Sequence, residues 1–365
     1  MVRDEIARLR QNGVDPELFP FRTWARLQKE LLYSAPELLT PGDARGDAAL
    51  RQALAGYLAE YRGVQCDPEQ LVVGAGLEYL LGLLAPLLPG PAAELGLPPN
   101  IPVVAGAMDQ TAAALAAGCT RPGTVTETTG TALVMAACTD APMFRSGHHV
   151  TVYRHALPGK YLYLPIGNTA GMALRWFRDE FCRDLPAGAA GYAALDALVQ
   201  SVPCGCDGLA FLPFLSGSVD PDACPEARAA FFGARLSTTR AHFARSVMES
   251  VAFLLRDFFG MLNALGCPAD TVYSLGGGAR SAVWQQIKAD ACGRTFRVPA
   301  CSEATAMGAA LLAGWGSGLI APGVFPCRGE SAVYLPDNAR APAYDTAYSL
   351  YKKLYAAVKP LYNAF

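Results

Sequence analysis

Residues 271–293 read TVYSLGGGARSAVWQQIKADACG, and no other stretch of the chain limits its fold so tightly. The run Thr271–Leu275 predicts a strand, and the stretch from Ser281 predicts a helix. Between them Gly276, Gly277 and Gly278 strip the turn of side chains, leaving backbone open where a nucleotide could rest against it. The run is neither the dinucleotide fingerprint G-x-G-x-x-G nor a Walker loop, since the chain has no G-K-[ST]. Rossmann and P-loop readings fail here.

The flanking patterns predict an α/β fold. Upstream come an apolar strand-like run, Ile101–Ala105, a helix-like stretch, Gln110–Ala117, and two β segments within Val125–Ala137 that meet at Thr129-Gly130-Thr131. Val150–Ile166 reads as more sheet, turning at Pro158-Gly159. A long helix is expected over Arg240–Leu265, with Phe243, Val247, Val251, Leu254, Leu255, Phe258 and Leu262 on one face and Gly266 closing it. A strand, Thr295–Val298, and an Ala-rich helix, Glu303–Trp315, follow.

The first ninety residues read differently, as helices over Phe21–Tyr33, Asp47–Arg62 and Glu78–Leu88 with a short strand and glycine turn at Leu71–Gly76. Asp47 is an N-cap before a buried face of Leu50, Leu54, Tyr57 and Leu58. The Pro, Gly and Ala of residues 87–102 place a junction near residue 90. The expected division is a helical segment over 1–90, an α/β lobe over 91–325 and a C-terminal extension with a helix over 326–365.

Composition narrows the partners. The 365 residues are 52% apolar and 17% charged, enough to bury a sizeable core. With 30 Lys and Arg against 32 Asp and Glu, and no basic stripe, nucleic acid and anionic membrane are excluded as partners. The 11 cysteines form no C-x-x-C pair and read as reduced thiols of a cytoplasmic protein. The longest apolar runs fall well short of the roughly 20 residues that span a bilayer. His148, His149, His155 and His242 are read as surface or satisfied core groups, and no metal is assigned to them.

Three places could carry chemistry. In VVAGAMDQTAAALAAG, Asp109 stands at a strand-to-helix junction, where a carboxylate either caps backbone N–H groups or is poised for a reaction. Thr128-Thr129-Gly130-Thr131 clusters hydroxyls around a glycine, suited to a phosphate or to a plain hairpin. The loop 216–228, with Arg228, has the composition of an active-site margin, whereas Trp176 and Phe177 read as a helix's packing face.

VVAGAMDQ, TTGTAL, SLGGGARSAVWQQIKADACG and EATAMGAALLAG stand in an order that resembles the FGGY carbohydrate kinases. GNTAGMALRWFRDEF and GLAFLPFLSGSVDPDACPEARAAFFGARLSTTRAHFARSVMESVAFLLRD extend the likeness over about residues 92–320. Its flavour is xylulokinase-like, although SGSVDPDACPEARAAFFG departs from the ER-T-P form common in xylulokinases and leaves the sugar open. The resemblance implies an actin-like, ribonuclease-H-like lobe that handles ATP and a small sugar or polyol. It would make Asp109 the general base, put Gly130 and Thr131 on the terminal phosphates of ATP, and set Gly277, Gly278 and Ser281 around the adenosine with Gln285 nearby. Mg²⁺ would be carried largely by the nucleotide's phosphates.

Such kinases also have a first lobe with an Asp-x-Gly-Thr hairpin, and no D-x-G-T occurs here. Impaired turnover is therefore expected, together with an exposed lobe surface open to self-association. Residues 14–88 instead resemble a fragment of the aminotransferase-like domain of MocR-type regulators, in which Gly74 and Ala75 would lie near pyridoxal phosphate, without the later Schiff-base lysine. Two other readings stay open at this point: a noncatalytic nucleotide-binding or interaction protein, and a pyridoxal-phosphate remnant.

Overall fold

The computed structural model describes residues 26, 29, 45–62, 65–73, 104, 106–145, 150–301, 303–325 and 329–364. The chain divides into two units, Met1–Ile101 and Pro102–Phe365. In the first, α1 (Ala48–Arg62) starts where Asp47 was expected to cap it, and Asp47 Oδ1 accepts the Leu50 N–H at 2.9 Å. The expected inward face is not the observed one. Leu50 and Tyr57 are 45% and 46% exposed, whereas Arg51 and Ala55 are buried. The reason is polar: the Arg51 guanidinium donates to the carbonyls of Gly46 and Pro68 and to Glu69, so the helix packs around a satisfied cation. Of the helix expected over Phe21–Tyr33 only Arg26 and Lys29 are described, both helical, and Leu71–Val73 is not in a strand. The rest of Leu71–Gly76, the helix over Glu78–Leu88 and the junction near 90 lie outside the described residues.

The second unit is built on one sheet. The strands β1 (Thr124–Thr129) and β2 (Leu133–Thr139) form an antiparallel hairpin closed by Thr129↔Leu133. Beyond β2 lie β4 (Tyr161–Tyr163) and β3 (Val152–Arg154), both in antiparallel pairings, and β5 (Ile166–Gly167) pairs with the hairpin end of β2. Two short strands, β6 (Ala210–Leu212) and β7 (Ala230–Phe232), pair separately. On the far side of β1, β8 (Thr271–Leu275) and β9 (Thr295–Pro299) run parallel to it, and β10 (Glu330–Tyr334) is antiparallel at the edge. The order is β10-β9-β8-β1-β2-β4-β3, the mixed α/β sheet the sequence predicts. Because β1 and β8 are parallel with Thr128 opposite Leu275, the turns after both strands leave the sheet side by side.

Seven helices are described here: α2 (Asp109–Ala117), α3 (Gly171–Phe181), α4 (Gly188–Gln200), α5 (Arg240–Ala264), α6 (Ala282–Cys292), α7 (Ala304–Gly316) and α8 (Ala341–Val358). The long helix α5 is buried beyond its expected apolar face, including Ala244, Met248, Ala252 and Phe259, because α3, α4, α6, α8 and the sheet surround it. Its buried charges are matched: Arg245 Nε donates to Glu249 Oε1 at 2.7 Å, and Glu249 also accepts the Gly205 N–H at 3.1 Å. Phe177 packs in this core, as a packing face requires. His155 is a satisfied core histidine, and His148 and His149 lie outside the described residues. No helix of the described residues is long and apolar enough to cross a membrane.

Candidate active site

The turn after β8 is shaped by two glycines. Gly276 has φ +77°, a left-handed conformation that side chains other than glycine adopt at a cost. At Gly278 a Cβ would stand 2.6 Å from Thr129 Cβ, so only a bare backbone lets the glycine turn press against the β1–β2 hairpin. Ser281 then begins α6, its Oγ accepting the Trp284 N–H at 3.0 Å. The β1–β2 turn is fixed from another side, because the carbonyls of Gly130 and Thr131 accept the N–H groups of Ala170, Gly171 and Met172 at the start of α3. Gly171 permits that approach: a Cβ there would lie 2.3 Å from the Gly130 oxygen.

A cleft of about 540 Å³ opens between these turns and helices α3 and α4. Gly130, Thr131, Gly277, Gly278 and Ser281 all line it, so five residues singled out in the sequence are brought to one place. A Cβ added at Gly130 or Gly277 would meet nothing within 4 Å, which leaves the room a phosphate chain needs beside bare backbone. Gln285 is not among the lining residues. It is fully buried behind the turn, where its Nε2 donates to the Gly278 carbonyl at 3.2 Å and its Oε1 has no partner.

Asp109 does not line the cleft either. It is the first residue of α2, exposed, and its Oδ1 accepts the Gln110 N–H at 2.7 Å. The N-cap position is Met108, which makes no side-chain cap, and the Asp109 carboxylate takes a first-turn N–H in its place. At the other end of α2, Cys119 Sγ reaches the Thr124 carbonyl, at 3.1 Å, where β1 begins. Met108 packs with Val134 and Ile166 on a small apolar cluster, and Val134 is the residue after Leu133 in β2. The helix thus packs on the sheet over β1 and β2, with Asp109 exposed at its start.

The Thr128–Thr131 hydroxyls divide. Thr131 is exposed, but Thr129 points into the sheet and belongs to a buried network. Its Oγ1 donates to Glu127 Oε2 at 2.8 Å and accepts from Lys288 Nζ at 2.8 Å, while Lys288 also donates to Glu127 Oε1 at 2.8 Å. The loop 216–228 is tied to β5: Asp220 is buried, its Oδ2 accepts the Ile166 N–H at 2.8 Å, and burial raises its carboxyl pKa. Arg228 Nη1 donates to carbonyls of its own loop, at Pro225 and Ala227.

Sequence reasoning missed the helical lining of the cleft, which includes Arg175 of α3 and Tyr192 and Asp196 of α4. The signal available was an acidic residue within an otherwise small and apolar helical stripe. A larger cavity of about 790 Å³, between the end of α2 and the start of α7, gathers none of the residues singled out in the sequence. Among the described residues no group of three or more His, Cys, Asp or Glu is placed to hold a metal ion.

The C-terminal domain of the FGGY family of carbohydrate kinases matches residues 125–317, more than half of the chain. The xylulose kinase of Bacillus subtilis (strain 168) is 29% identical over 282 residues, 76% of this chain and 55% of that protein. The gluconokinase of the same strain is 29% identical over 71% of this chain and 53% of its own length. The crystal structure of the xylulose kinase from Rhodospirillum rubrum is 34% identical, with a TM-score of 0.67 over 74% of this chain and 55% of that one. The chain therefore spans about half the length of the curated relatives it matches. Residues 14–88, with Gly74 and Ala75 outside the described residues, fall outside the family match. The solved neighbours are sugar kinases of the actin-like ATPase fold, and the matched lobe has that fold. With its glycine turn and hairpin on one cleft, this chain belongs to the FGGY family of carbohydrate kinases.

Proposed function

We propose that this chain supplies the nucleotide side of an ATP-dependent carbohydrate kinase of the cytoplasm, which transfers the terminal phosphoryl group of ATP to a hydroxyl of a xylulose-like ketose or a polyol. The observation that carries the reading is the cleft shared by the β1–β2 turn and the glycine turn. In this reading Gly130 and Thr131 receive the terminal phosphates, and Gly277, Gly278 and Ser281 border the adenosine. Gln285 holds the turn from behind through the Gly278 carbonyl. Mg²⁺ held by the phosphates of ATP would supply positive charge against that developing during transfer. Asp109 takes the proton of the attacking sugar hydroxyl; it is exposed at the start of α2, with one oxygen engaged by the Gln110 N–H.

Phosphoryl transfer depends on positioning, and clamping both reactants is worth about 7–11 kcal/mol of barrier. These 365 residues hold no D-x-G-T hairpin, so turnover by the chain alone is slow. The same observation favours a second reading, a noncatalytic nucleotide-binding protein. Calorimetric titration with MgATP, followed by ADP release against a panel of ketoses and polyols, decides between them. Wild type and Asp109→Asn should bind MgATP alike, and sugar-dependent ADP release should fall at least about a hundredfold in the variant. Binding without any sugar-dependent release supports the second reading, and no binding sinks both.

A further inference from the structure

The α4 side of the cleft carries a carboxyl group with no part in the chemistry described so far. On α4, Ala189, Tyr192, Ala193 and Asp196 follow the i, i+3, i+4, i+7 spacing of one helix face, and all four line the cleft. The two alanines leave space, and Tyr192 is steadied by the Arg178 guanidinium, 4.5 Å from its ring centre. Asp196 closes this stripe beside Ser281.

The hydrogen-bond inventory fixes which group can read a ligand there. Ser281 Oγ accepts the Trp284 N–H at 3.0 Å and gives its single proton to Asp196 Oδ1 at 2.8 Å. Its donor is spent, so Ser281 has no proton to offer a nucleoside. Asp196 is left as the acceptor: an ionised carboxylate has room for about four donors, and Ser281 supplies one. No Lys or Arg among the described residues forms an ion pair with Asp196. Trp284 is held by its own bond to the Met248 carbonyl at 3.0 Å, so the start of α6, and Ser281 with it, is a fixed support.

We infer that Asp196 selects the nucleoside of the phosphoryl donor by accepting a hydrogen bond from a donor on it, either a ribose hydroxyl or the exocyclic amine of the base. The inference rests on the cleft being a nucleotide site. Burial pushes the Asp196 carboxyl pKa up, with the Ser281 hydrogen bond acting the other way.

The test is calorimetric titration of the full chain with the Mg²⁺ complexes of ATP, ITP, 2′-deoxyATP and 3′-deoxyATP. ITP lacks the exocyclic amine, and each deoxy analogue lacks one ribose hydroxyl. Wild type should bind ATP about tenfold or more tightly than the analogue missing the donor that Asp196 accepts. Asp196→Ala should bind ATP and that analogue equally. Wild-type affinities that are the same for all four nucleotides, or a preference kept in Asp196→Ala, would overturn the assignment. If Asp196→Ala does not fold, Asp196→Asn keeps the volume with a neutral acceptor; a weakened preference there supports the assignment, and one equal to wild type overturns it. Failure of wild type to bind any of the four counts against the nucleotide site itself, a different result from binding without discrimination.

Discussion

Replacing Lys288 by methionine isolates the buried network beneath the β1–β2 turn. Lys288 and Glu127 have no side-chain exposure, and Nζ lies 2.8 Å from Glu127 Oε1 and 2.8 Å from Thr129 Oγ1. The ammonium has three protons; two serve these oxygens, and Nζ lies 5.1 Å from the Trp284 ring. Methionine fills most of the volume but leaves the Glu127 carboxyl buried without its cation, with one neutral donor, Thr129. Breaking a buried pair in this way costs about 3–5 kcal/mol, more than the loss of one hydrogen bond at about 0.5–1.5 kcal/mol. Removing both charges, in Glu127→Leu with Lys288→Met, takes away the unpaired group and recovers most of the loss. Urea unfolding followed by circular dichroism reads the effect: at a slope near 3 kcal/mol/M the single variant shifts the midpoint by about 1 M or more. A shift in Lys288→Met worth under about 1 kcal/mol would refute the reasoning, as would a double variant no more stable than the single one.

That network also marks where sequence reasoning stops. Local signals carried the β1–β2 hairpin, β8, β9, the glycine turn and α5, whose observed end at Ala264 is one residue short of the expected Leu265. Each depends on neighbours within a few positions, which periodicity and turn chemistry record. The direction of the Thr129 hydroxyl depends on Lys288, 159 residues away, and nothing in TTGT says which threonine faces inward. The burial of α5 on all sides depends on five separate elements closing round it, whereas an amphipathic pattern reports one face. The polar inner face of α1 was hidden because Arg51 is satisfied by Pro68 and Glu69 from the following turn. Within the cleft, Gly130 and Gly277 were legible because glycine is a backbone statement. Asp196 was not, since its meaning comes from the Ser281 proton 85 residues on.

The glycine turn and the buried histidine after β3 give two further tests. Gly278→Ala puts a methyl group where Thr129 Cβ already stands, 2.6 Å away, and either the turn or the hairpin must move. A cost of about 1–3 kcal/mol in urea unfolding and a weaker MgATP isotherm are expected, and unchanged values for both would contradict the close contact. His155 should make stability fall with acid. Its Nδ1 accepts the Leu157 N–H at 3.0 Å, so the proton resides on Nε2, which donates to the Cys119 carbonyl at 2.9 Å, and the ring is neutral. Burial holds its pKa below 6.5, with the Cys119 carbonyl acting the other way and Lys160 adding to the lowering. The unfolded chain therefore binds the proton first: the contribution is intact above about pH 6.5 and is lost as pH falls toward the folded value, by up to about 1.4 kcal/mol per pH unit. In His155→Gln, whose amide is neutral at every pH, the difference in urea midpoint between pH 7.5 and pH 5.5 should shrink. An undiminished difference would mean that the ring accepts a proton within the fold, and that the two bonds holding it do not fix its neutral form.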